Sequence, residues 1–124
     1  MRSVLKIGLL SMLLVGSVAY AGDGSCSYNA YISKQDLSNS NGKKLTTVGQ
    51  VLRQDRANFH NGNGDSADED DYCGLDDANV RSRFEKMVDR STIPAKVKRA
   101  IMGGYADVTI STYGNKVEVS LLVQ

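Results

Sequence analysis

The chain has 124 residues, with 15 basic side chains, 14 acidic ones and one histidine, for a formal charge of +1. A near-neutral balance lacks the basic footprint of a nucleic-acid binder. The length allows one ordinary domain, and the two cysteines, Cys26 and Cys73, are too few and too far apart for a disulfide-dense scaffold or a thiolate zinc site.

Residues 1–21 read as a cleaved bacterial-type signal peptide: Arg2 and Lys6, then an apolar run from Ile7 to Val18, then Ala19-Tyr20-Ala21. The run is shorter than the roughly 20 residues a membrane span requires, so stable membrane insertion is not expected after cleavage. Residues 22–124 form the mature domain, with 13 basic and 14 acidic residues and a charge of −1. Export to the periplasm or the extracellular space favours oxidised thiols, and the pair Cys26 and Cys73 predicts one disulfide. Closing so long a loop is worth about 4 kcal/mol in the chain-entropy account.

A first strand is predicted over residues 27–33, where Tyr28, Ala30 and Ile32 alternate with polar neighbours. Residues 36–44 are rich in Ser, Asn and Gly and predict a loop. From Leu45 the apolar spacing becomes helical, with Leu45, Val48, Leu52 and Phe59 on one side, and the helix ends in the Asn/Gly run of residues 61–64. Asp77 is placed to cap a second helix with Val80, Phe84, Met87 and Val88 on one stripe and bases on the other face. Pro94 opens a third helix that Gly103-Gly104 ends. Two strands follow, Ala106, Val108 and Ile110 in one and Val117, Val119 and Leu121 in the other, joined by Gly114-Asn115.

The order β-α-α-α-β-β predicts an α+β fold: a small antiparallel sheet of three strands, covered on one face by helices and stapled by a disulfide, with an exposed strand edge available to a partner. Charge is segregated along it. Residues 65–77 hold Asp65, Asp68, Glu69, Asp70, Asp71, Asp76 and Asp77 and no base, whereas residues 81–99 are mainly basic.

Three functional readings follow. Asn61, Asn63, Asp65, Asp68 and Asp71 place oxygen side chains at short intervals in a Gly-bearing loop, a pattern able to ligate calcium. With Cys73 after it, residues 61–73 resemble the acidic repeats of thrombospondin type 3, which implies calcium binding by those side chains. The spacing departs from that family and from the EF-hand, since Ser66 stands where each requires glycine and Tyr72 where an EF-hand has its bidentate Glu.

The second reading starts from Asp55, which lies on the apolar stripe of the first helix and requires a partner, with an arginine of the basic second helix as its natural counter-ion. Arg56 and His60, four residues apart, share a helix face near it. A small hydrolase would use His60 as base with Asp55, with Arg56 holding an anion. The chain has no Gly-x-Ser-x-Gly, His-Glu-x-x-His, phosphate-loop or dinucleotide motif to support such chemistry. The third reading, preferred on size, staple and segregated charge, is a non-enzymatic module of inhibitor or immunity type. It would bind another protein through the polar helix end, with Asp55, Arg56, Asn58 and His60, or through the acidic loop or sheet edge.

Overall fold

The computed structural model describes residues 25–122; the predicted signal peptide lies outside them. The chain runs through β1 (Cys26–Ile32), a 3-10 turn (Lys34–Leu37), α1 (Val48–His60), α2 (Ala78–Arg90), α3 (Ala95–Gly103), β2 (Ala106–Tyr113) and β3 (Lys116–Leu121). It is the expected α+β arrangement, a three-stranded antiparallel sheet with three helices and one disulfide.

Strand order is β1-β2-β3, with β2 in the centre. β1 pairs with β2 from Cys26 opposite Thr112 to Ile32 opposite Ala106, and β2 with β3 from Val108 opposite Leu121 to Tyr113 opposite Lys116. The hairpin between β2 and β3 turns on Gly114, whose φ of +63° is what a two-residue turn asks of its first central position. Period-two alternation then assigns the faces. Tyr28, Ala30, Ile32, Ala106, Val108, Ile110, Val117 and Val119 are buried against the helices. The opposite face is polar, with Ser27 Oγ bonded to Ser111 Oγ at 2.9 Å and Thr109 Oγ1 donating to Asn29 Oδ1 at 2.7 Å across paired strands.

The helices supply Val51, Leu52, Phe84, Val88 and Ile101 to the same core. α1 begins at Val48 and not at Leu45, because Thr47 and Gln50 form a capping box: Thr47 Oγ1 accepts the Gln50 N–H, and Gln50 Oε1 accepts the Thr47 N–H. Leu45 continues the apolar spacing but belongs to the preceding loop, where its N–H donates to the Leu37 carbonyl. The predicted loop of residues 36–44 also proves more ordered than its composition suggests. Its start lies in the 3-10 turn, and Asn39 Oδ1 accepts from the N–H groups of Asn41 and Lys43.

α1 and α2 pack closely at Gly49, where a Cβ would meet the Glu85 carbonyl and lie 2.6 Å from Asp89 Oδ1. The Asp89 carboxylate accepts from Gly49 N–H at 2.8 Å and Thr47 Oγ1 at 2.9 Å, so α2 binds unsatisfied donors at the start of α1. Asp77 caps α2 as expected, accepting from Asn79 and Val80 N–H groups. α3 follows Pro94 and ends at Gly104, whose φ of +81° suits glycine. Among the described residues no helix is long and apolar enough to cross a membrane.

Candidate functional site

The acidic segment between α1 and α2 lies along the outer edge of β1. The Glu69 N–H donates to the Asn29 carbonyl at 3.0 Å, the Asn29 N–H donates to Glu69 Oε1 at 3.2 Å, and the Tyr31 N–H donates to Asp68 Oδ1 at 2.8 Å. Carboxylates are acceptors only, so they complement the N–H groups that a strand edge leaves unpaired. This edge is therefore closed from within the chain. The far end of the segment is tied to β1 by the Cys26–Cys73 disulfide, with Cα atoms 5.8 Å apart.

Behind the segment sits Arg56, fully buried between the rings of Tyr28 and Phe59, its guanidinium carbon 4.3 and 4.6 Å from their centroids. Its Nε donates to Asp55 Oδ2 at 2.8 Å; its Nη1 donates to Asp71 Oδ2 at 3.0 Å and to the Glu69 carbonyl at 2.8 Å. Two aromatic faces and two carboxylates together compensate a charge that could not otherwise be held inside. Asp55 thus takes its counter-ion from the adjacent residue rather than from the basic α2. Arg81 near the start of α2 is used otherwise, its Nη1 donating to the Leu75 carbonyl, and Glu85 of α2 pairs with Arg53 of α1 at 2.8 Å.

His60, 16% exposed at its side chain, lies with Nε2 2.8 Å from Asp71 Oδ2. Burial opposes ionisation of Asp71, but the Cys73 N–H, His60 and Arg56 together hold its carboxyl below the usual range. Asp55 is pushed the other way: burial raises it well above the ordinary value, and Arg56, shared with Asp71, only partly offsets this. Burial likewise raises Tyr28, Asp68 and Asp36, the last to about 6. Three buried polar atoms of this region, Tyr28 Oη, Asp55 Oδ1 and Arg56 Nη2, have no hydrogen-bond partner among the described residues.

The residues singled out from sequence are thus divided by the fold. Asp55 and Arg56 are enclosed and cannot themselves touch a protein partner, contrary to their place in the expected binding set. Asn58 is half-buried, donating to Asp36 Oδ1 and accepting from Gln54 Nε2, and His60 is the set's partly exposed member beside the acidic loop. The pairing of His60 with Asp55 expected for a hydrolase is not formed, because Arg56 draws Asp55 to its Nε and His60 meets Asp71.

Of the expected calcium ligands, Asn61 and Asn63 are exposed, and Asp68 is occupied by the N–H groups of Tyr31 and Asp65. Asp71 belongs to the buried arginine network. The acidic clusters that converge among the described residues are Asp36 with Asp55 and Asp65, and His60 with Asp70 and Asp71, so Asp65 and Asp71 fall in different groups.

No family model, curated protein or solved structure matches this chain.

The site was only partly visible in the sequence. Asp36 falls in the loop that composition predicts, although Ser33-Lys34-Gln35-Asp36 carries the spacing of a capping box, and Asp36 Oδ2 does accept the Ser33 N–H at 3.0 Å. Tyr72 is, by sequence, a misfit in an EF-hand calcium pattern. Among the described residues it is the most exposed large hydrophobic one, at 86%, and it has a φ of +51°, which a tyrosine seldom adopts. Its N–H donates to Asp70 Oδ1 at 3.2 Å, while Asp71 on one side is anchored inside and Cys73 on the other is cross-linked to β1. A protruding aromatic ring flanked by acidic groups is held on a backbone with little freedom.

Proposed function

We propose that this protein is an exported, non-enzymatic binding module of inhibitor or immunity type, and that it engages a basic surface of another protein through the loop carrying Tyr72. The observation that carries the reading is the presentation of Tyr72. Tyrosine gives a large contact area with few rotors to immobilise, and a backbone already held when free loses little entropy on binding. Holding its φ positive costs roughly 1 kcal/mol, strain that burial of Asp71 and the disulfide sustain. Exposed Glu69, Asp70 and Asp76 around it favour a positively charged partner and speed encounter at low salt.

The test is capture of a partner from the producing organism's own secreted fraction by the immobilised oxidised protein, at low and moderate salt. The expected result is one basic protein retained by the native chain and not by Tyr72→Gly, a variant that relieves the positive φ and leaves the fold intact. Recovery of nothing at either salt concentration, or equal capture by Tyr72→Gly, defeats the proposal.

A further inference from the structure

The acidic side chain that the arginine network leaves incompletely satisfied is Asp55. One oxygen accepts from Arg56 Nε; the other, Oδ1, is buried without a partner among the described residues, in a residue that is 0% exposed. An orphaned carboxylate oxygen in such a place is costly, and native proteins resolve it with an ion, a water or a proton. Two further carboxylates converge on Asp55 from separate parts of the chain: Asp36 of the 3-10 turn, 1% exposed, and Asp65 of the acidic segment. One oxygen from each of the three lies within 4.8 Å of the others. Oxygens that share a calcium ion at roughly 2.4 Å each are at most about 4.8 Å apart, a condition that all three pairs meet.

The surroundings orient these groups as ligands. Asp36 Oδ2 accepts the Ser33 N–H and Oδ1 accepts from Asn58 Nδ2, while Asp65 Oδ2 accepts from Ser33 Oγ at 2.8 Å. Each hydrogen bond occupies one lone pair and leaves others on the same carboxylate. The neighbouring cation, Arg56, gives Nε to Asp55 Oδ2 and Nη1 to Asp71 Oδ2, while its Nη2 is buried without a partner among the described residues. Asp65 is only half-buried and provides the way in.

We propose that Asp36, Asp55 and Asp65 form a binding site for one hard divalent cation, calcium in the exported setting. Calcium accepts three carboxylates from independently placed segments because its geometry is permissive, whereas magnesium demands a near-ideal octahedron and retains its waters. Bound there, the ion ties the 3-10 turn, α1 and the start of the acidic segment together. The ligand set shares Asp65 with the pattern read from the sequence and does not involve Asn61, Asn63 or Asp71. The inference is independent of the partner proposed above.

The test is calcium titration of the chelator-treated, oxidised protein, followed by calorimetry and thermal melting, with magnesium in parallel. One calcium per chain is expected, with magnesium weaker. A melting-temperature rise of roughly 10 °C should appear at about a hundred times the dissociation constant. Asp65→Asn, at the half-buried ligand, keeps the fold and weakens calcium binding at least tenfold, as does Asp36→Asn; Asn63→Ala and Asp70→Asn leave it unchanged. Absence of binding to native protein at about 10 mM calcium, well above the range of weak extracellular sites, overturns the proposal. So does binding that survives both Asp36→Asn and Asp65→Asn, or that is lost in Asn63→Ala.

Discussion

Replacing Arg56 by glutamine keeps much of the side chain's length but removes a guanidinium that meets Asp55 at 2.8 Å and Asp71 at 3.0 Å inside the protein. Two carboxylates then lose their buried counter-charge, and breaking such a pair from one side costs about 3–5 kcal/mol. The contacts with the Tyr28 and Phe59 rings disappear with the charge and contribute a further ~1 kcal/mol, which overlaps with the first figure. A loss of about 4 kcal/mol is a large fraction of the ~5–15 kcal/mol available to a domain of this size, and corresponds to a fall in melting temperature of roughly 15–30 °C.

Urea unfolding of the disulfide-intact protein, followed by far-ultraviolet circular dichroism, measures it directly. A companion variant sharpens the reasoning. Adding Asp55→Asn to Arg56→Gln removes one of the stranded charges, so the double variant should be more stable than Arg56→Gln alone. A change below about 1 kcal/mol for Arg56→Gln, or a double variant in which the two losses simply add, refutes the account of Arg56 as the internal counter-ion.

Acid should stabilise the chelator-treated protein. Asp36, held at about 6 against an ordinary 3.8, and Asp55, raised by burial, bind protons more tightly folded than unfolded, so stability declines as pH rises from about 4 to 6. Asp36 alone accounts for about 3 kcal/mol of that decline. Asp71 works oppositely: its contribution is complete above the unfolded value and is lost as pH falls through its lower folded one. Urea midpoints that stay level or rise between pH 4 and 7 in chelator contradict this balance. Gly49→Ala should cost about 2 kcal/mol or more by forcing α1 from α2, whereas Gly103→Ala, where a Cβ meets open space, should be neutral or stabilising; equal effects in the same denaturation assay contradict the close approach at Gly49.

What the sequence determined by itself was whatever is encoded over a few residues. Alternation in β2 and β3 with Gly114 between them, the Asp77 cap, Pro94 and Gly104 around α3, and the two cysteines each act locally or by elimination, and each is in the structure as expected. Even the misplaced start of α1 was a contest between two local signals, in which the Thr47–Gln50 capping box prevailed over the apolar spacing of Leu45.

Tertiary structure decided where the charges go. Asp55 was recognisable as an anomaly on an apolar stripe, but its environment depends on Asp71, 15 residues beyond Arg56, which takes the other side of the same guanidinium. The acidic segment reads as solvated charge until Asp68 reaches Tyr31 across 37 positions and Asp65 reaches Ser33 across 32. Such contacts leave no periodic trace, because a carboxylate is equally compatible with water, a strand edge, an arginine or an ion. Only the folded backbone determines which of these it meets.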